Sequence, residues 1–124
     1  MKFMIGLKPV TKKNSQRIVM CGKYPRILPS KAYERYEKDC KVYMPKVDEP
    51  IAYAVNIKAA YYMATRRKVD LTNLHEALHD VLVHYGVLAD DNSNIVVSTD
   101  GSRVHVDKWH PRTEVEITRV EDCV

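Results

Sequence analysis

The residues best suited to chemistry gather in one stretch of this chain. Arg66-Arg67-Lys68 is a run of cations, Asp70 follows closely, then come His75, Glu76, His79 and Asp80, and Asp90-Asp91 close the stretch. A second basic cluster runs through Lys8–Arg17. Arg and Lys hold phosphate oxygens through charge-assisted hydrogen bonds, and carboxylate oxygens suit hard divalent cations. Basic clusters beside acidic points fit a protein that holds phosphates and also binds a cation. Taken singly, each residue has a plainer role. Asp70 is a helix-start acid, favourable near the positive end of a helix. Asp90-Asp91-Asn92 is a turn. Glu76 is a solvated helix residue, and Arg66-Arg67-Lys68 is surface charge. Asp80 projects almost opposite the apolar stripe of its helix, which places it in solvent or at a dimer contact.

One motif competes for attention. His75-Glu76-Ala77-Leu78-His79 fits the HExxH pattern, which on a helix sets two imidazoles on one face to hold zinc, with Glu as general base. Such a site needs a third ligand downstream. Position 82 is Leu, so the extended histidine pattern fails, and Ile95–Arg103 contains no Glu. The two histidines are therefore expected on the flank of a helix, partly buried or solvated, rather than on zinc.

The elements that position these residues follow from periodicity. Leu71, Leu74, Leu78, Val81, Leu82 and Tyr85 repeat at about 3.6 residues and define a second helix, with Gly86 at a left-handed C-cap. A first helix opens at Ser30, a good N-cap, carries Ala32, Tyr33, Tyr36, Cys40 and Tyr43 at helical spacing, and closes at Pro45. Ile51–Tyr62 alternates as a long strand. Lys2–Leu7, Ile95–Val97, Arg103–Lys108 and Glu114–Arg119 read as shorter strands, and Asp100-Gly101 signals a hairpin turn. Thr11–Arg17 is expected to be a loop, and Pro25 and Pro29 bracket another irregular stretch. The order β, loop, α, β, α, β, β, β predicts an α+β fold with two helices packed on one mixed β-sheet, as a single small domain over residues 1–124.

Composition narrows the class. Apolar residues make up 45% of the chain, enough for one real core, and the formal charge is +4 with His neutral. No stretch is long and apolar enough to cross a membrane, and the N-terminus lacks a signal peptide's apolar run. Cys21, Cys40 and Cys123 are odd in number and widely spaced, with no disulfide framework. A reducing cytoplasm, of a bacterial cell or a phage-infected host, is the expected setting.

The run Arg66-Arg67-Lys68-Val69-Asp70-Leu71-Thr72-Asn73-Leu74, with Asp80-Val81-Leu82, Gly86 and Asp90-Asp91 after it, resembles the RusA family of Holliday junction resolvases, without gaps across Arg66–Asp91. Lys13-Asn14-Ser15 is similar to that family's polar loop after strand one, and Ser30–Asp39 to its first helix. The resemblance implies a homodimeric endodeoxyribonuclease that cuts four-way junctions and other branched DNA with Mg²⁺, or Mn²⁺ in its place. It implies a metal site of acids at the positions of Asp70, Thr72 and Asp91, and a Lys at the position of Glu76. Two of the four positions depart. Glu76 lies one helical turn beyond Thr72, about 6 Å along the axis, and leans back toward it, so Glu76 is expected to supply the carboxylate that position 72 lacks. The missing Lys then needs a replacement, from Lys12, Lys13 or Lys68. The expected catalytic and metal residues are thus Asp70, Glu76 and Asp91. The expected DNA contacts are Lys12, Lys13, Asn14, Arg66, Arg67 and Lys68. An inactive junction-binding module of the same fold is the alternative. The second helix spans roughly 22 Å, and Gly86–Asp91 retraces at most about 20 Å, so a site shared across a dimer is the second arrangement that brings Asp70 and Asp91 together.

Overall fold

A computed structural model describes residues 1–12, 17–28 and 30–121. Its strands are β1 (Lys2–Ile5), β2 (Arg17–Cys21), β3 (Tyr24–Leu28), β4 (Val55–Met63), β5 (Val96–Ser98), β6 (Arg103–Val106) and β7 (Arg112–Arg119). Its helices are α1 (Lys31–Asp39), continued by a 3-10 turn over Cys40–Tyr43, and α2 (Leu71–His84). The main sheet runs β1-β7-β4, with β5 and β6 both on the far edge of β4. The β1–β7 and β7–β4 pairings are antiparallel, while β5 and β6 run parallel to β4. The fold is therefore α+β with a mixed sheet, as the sequence pattern predicts.

Alternation builds the core. Val55, Ile57, Ala59 and Tyr61 of β4 and Thr113, Val115 and Ile117 of β7 point to one face and are buried. Against that face lie Tyr33, Tyr36 and Cys40 from α1 and its 3-10 turn, and Leu74, Ala77, Leu78, Val81 and Leu82 from α2. Ser30 caps α1 by accepting a hydrogen bond from the Tyr33 N–H at 3.1 Å, as expected. On the opposite face, Tyr62 is sandwiched between the His105 ring at 4.6 Å and the Arg112 guanidinium at 3.8 Å. That stack fixes the end of β4 from which the Arg66–Lys68 loop departs.

The end of α2 sets where the following acids can go. Gly86 takes φ +73, and the Val87 N–H donates to the Leu82 carbonyl at 2.9 Å while the Gly86 N–H donates to Val83 at 3.0 Å. This is a Schellman closure, with Val87 and Leu82 both fully buried behind it. The chain then docks on Ile51, whose N–H donates to Val87 and whose carbonyl accepts from Ala89. Ile51 is thus held by the reversal after α2, and β4 begins at Val55 instead of at Ile51.

Two expectations fail in informative ways. Arg17, expected to end a loop, opens β2, and the stretch from Pro25, expected as irregular, lies in β3, so that Arg17–Cys21 and Tyr24–Leu28 form an antiparallel hairpin of their own. Asp100-Gly101 does not join a hairpin. The segments on either side both run parallel to β4, at Val55–Asn56 and at Ala60–Met63. Gly101, at φ +85, lets one edge segment jog and continue. Asn56 pins the jog: its Oδ1 accepts from the Asp100 N–H at 2.7 Å and its Nδ2 donates to the Asp100 carbonyl at 3.2 Å.

Candidate functional site

The basic run leaves the end of β4 and lies in solvent. Arg66, Arg67 and Lys68 are all exposed, and among the described residues no carboxylate pairs with them. Their side chains remain available to phosphates. Lys13 and Asn14 lie outside the described residues.

Asp70 is the N-cap residue of α2, but its side chain makes no capping bond to the backbone. It is exposed, and its Oδ2 accepts a 3.3 Å hydrogen bond from Asn73 Nδ2. Beside it is a small polar cleft of about 120 Å³, lined by Thr11, Lys68, Val69, Asp70 and Asn73. A carboxylate at a helix start, with a Lys and a side-chain amide around a cleft, can meet a cation or a phosphate.

Farther along α2, the chain just before the basic loop comes alongside. Lys12 Nζ donates to Asp80 Oδ2 at 2.6 Å and lies 5.5 Å above the Tyr33 ring. The hydrogen bond to Asp80 holds the Lys12 ammonium above its ordinary pKa against the effect of burial, and the charges of Asp80, Glu76 and Glu37 add to it. Lys12 is therefore engaged by the acidic flank of α2. Glu76 is exposed on that flank. Asp80 is half-buried and paired with Lys12, so it does not stand in open solvent as one of its two expected placements had it.

In the turn after α2, Asp90 and Asp91 behave differently. Asp90 accepts from the Asp91 N–H at 2.8 Å and from Asn92 Nδ2 at 2.9 Å. These bonds hold its carboxyl below the usual range. Asp91 is pushed above that range by partial burial first, then by the charge of Asp80. Asp91 thus lies within the electrostatic reach of Asp80. Asp70 and Asp80 are about 15 Å apart along the axis at ~1.5 Å per residue. Among the described residues, no group of three or more His, Cys, Asp or Glu side chains is arranged to hold a metal ion. The oxygens of Asp70, Glu76 and Asp91 are chemically right for a hard divalent ion, but one chain does not gather all three. Asp80 went unmarked as a site candidate because what links it to Asp91 and Lys12 is tertiary.

The HExxH histidines face the other way. Nδ1 of His75 is hydrogen-bonded to the buried Tyr61 hydroxyl at 2.7 Å, and the His75 and His79 rings stack at 5.5 Å, tilted by 7°. The Nε2 atoms of both are buried without a partner. Burial lowers the pKa of His75, and burial with the neighbouring His75 lowers that of His79 to about 4. This is a neutral, packed pair rather than a zinc site. Cys21 and Cys40 are free thiols, the first exposed and the second buried.

No helix among the described residues is long and apolar enough to cross a membrane. A search of curated proteins finds no match. The family model described as "Endodeoxyribonuclease RusA" matches residues 7–118, which takes in both helices, the basic run and the Asp90-Asp91 turn. With so much of its length matched, the chain belongs to the RusA endodeoxyribonuclease family.

Proposed function

We propose that this protein is a divalent-metal-dependent endonuclease that cuts branched DNA, Holliday junctions among them, as a homodimer. The observation that carries the reading is the family match, whose span of residues 7–118 takes in Arg66–Lys68, Asp70, Glu76 and Asp91. In this reading Asp70, Glu76 and Asp91 hold Mg²⁺, and Mn²⁺ satisfies the same oxygens. A divalent ion at such a site supplies a more acidic water and stabilises charge on the phosphate. Arg66, Arg67 and Lys68 hold the phosphates of the substrate, with Lys13 and Asn14 as further contacts. Because the described residues of one chain do not bring three such carboxylates together, the site in this reading takes Asp70 and Asp91 from different protomers. A two-fold enzyme also suits the two-fold symmetry of a four-way junction.

The departures at Thr72 and Glu76 fit this reading with one addition. Losing a carboxylate at 72 and exchanging a Lys for Glu76 leaves the four positions one unit more negative than in the family pattern. Lys12, on Asp80 and within the field of Glu76, supplies the offsetting positive charge.

The Lys12–Asp80 pair also favours a second reading. A flank already neutralised by the protein's own ammonium suits a module that binds junctions without cutting them. A labelled four-way junction, incubated with Mg²⁺ or with EDTA, separates the two. Cleavage in Mg²⁺ alone supports the nuclease, and a mobility shift without cleavage in either selects the binder. Glu76→Gln is expected to abolish the Mg²⁺-dependent cut while junction binding persists.

A further inference from the structure

The β2–β3 hairpin stands apart from the core. Among the described residues its strands pair with each other and with no strand of the main sheet. Register partners share a face, so Ile18, Ile27, Met20 and Pro25 line one side of the ribbon. That side is apolar and open: Ile18 is 74% exposed, Met20 66% and Ile27 67%. Tyr24, beside the Gly22-Lys23 turn, is 75% exposed. A lone two-stranded ribbon is marginally stable in water, and an apolar face of this kind marks a contact surface.

Charge identifies the partner. The chain has no Asp or Glu before Glu34, so every charged side chain in or leading into this ribbon is a cation, Lys23 and Arg26 among them. Lys23 lies in the turn and Arg26, the register partner of Val19, on the reverse side, so the cations border the apolar face instead of interrupting it. A polyanion that also offers flat apolar surfaces satisfies both features, and DNA with unstacked bases is such a partner. We infer that the β2–β3 ribbon is the element that senses the branch point, its apolar face covering unstacked bases while Lys23 and Arg26 hold flanking phosphates. Apolar side chains gain contact with bases only where stacking is broken, so the ribbon would favour branched over linear DNA. The inference rests on the nuclease reading and assigns its substrate preference to residues outside the acidic flank.

The test is fluorescence anisotropy in EDTA, with a four-way junction and a linear duplex of matched sequence. Ile18→Ser/Met20→Ser/Ile27→Ser is expected to weaken junction binding about tenfold and leave duplex binding unchanged. Lys23→Gln/Arg26→Gln is expected to weaken both and to flatten the salt dependence by about two phosphate contacts. Should the triple variant lose its native circular dichroism, Met20→Ser alone on the same face replaces it, with an expected loss of about threefold in junction binding. Unchanged junction affinity in the variant overturns the inference. So does conversion of a dimer to a monomer in sedimentation, which would make a second copy the occupant of this face. If the wild-type protein itself fails to prefer the junction, the branched-DNA reading falls first and the ribbon's role falls with it.

Discussion

The buried histidine pair makes acid sensitivity a quantitative consequence of the fold. His79 is held neutral in the native state, with its pKa lowered from 6.5 to about 4, first by burial and then by His75. The unfolded chain binds a proton near the ordinary value, so the unfolded state takes up more protons as the pH falls. The associated stability is fully present above about pH 6.5 and is lost progressively toward pH 4. At pH 5 the loss from His79 alone is about 2 kcal/mol, from ~1.4 kcal/mol per unit of separation between the two pKa values. His75, also lowered by burial, adds in the same direction. Urea unfolding at pH 7.5 and pH 5.0 measures this directly for the wild type and for His79→Gln. The wild type is expected to lose about 2 kcal/mol more than the variant over that interval. Equal losses in the two proteins would refute the assignment of His79 as a neutral buried group.

Other consequences can be measured as readily. Gly86→Ala places a side chain at φ +73, and chemical denaturation is expected to show a loss of about 1 kcal/mol from the end of α2. Lys12→Gln removes the 2.6 Å bond to Asp80, and a double-mutant cycle with Asp80→Asn is expected to return about 1 kcal/mol of coupling for this partly buried pair. Arg66→Gln/Arg67→Gln/Lys68→Gln is expected to reduce the slope of log affinity against log salt by about three phosphate contacts on any DNA, without changing the melting temperature. A variant that keeps the wild-type slope would remove this loop from the DNA interface.

Much of the architecture was legible because periodicity is local. The stripe Leu74, Leu78, Val81 and Leu82 and the alternation Val55, Ile57, Ala59 and Tyr61 face the same core, and Gly86 carries the signature of its cap. The β2–β3 hairpin was not legible. Its apolar residues face solvent, so they follow no core pattern, and Pro25 reads as an irregularity until the ribbon is seen to have no third strand. The Asp100-Gly101 signal is local as well, while the choice of partner is not: Asn56, far away in sequence, holds that turn against β4. In the candidate site, the acids and the basic run were visible as residue types in family spacing. The Lys12–Asp80 pair joins residues 68 positions apart and arises only from packing.

The shared metal site is the claim on which the functional account turns, and subunit mixing tests it most directly. Asp70→Asn and Asp91→Asn chains, each inactive alone, are unfolded together, refolded and assayed for Mg²⁺-dependent junction cutting. If every site draws Asp70 from one protomer and Asp91 from the other, each mixed dimer has one intact site, and about a quarter of the wild-type sites return. If mixed dimers form and no cleavage returns, the two carboxylates do not meet across the interface.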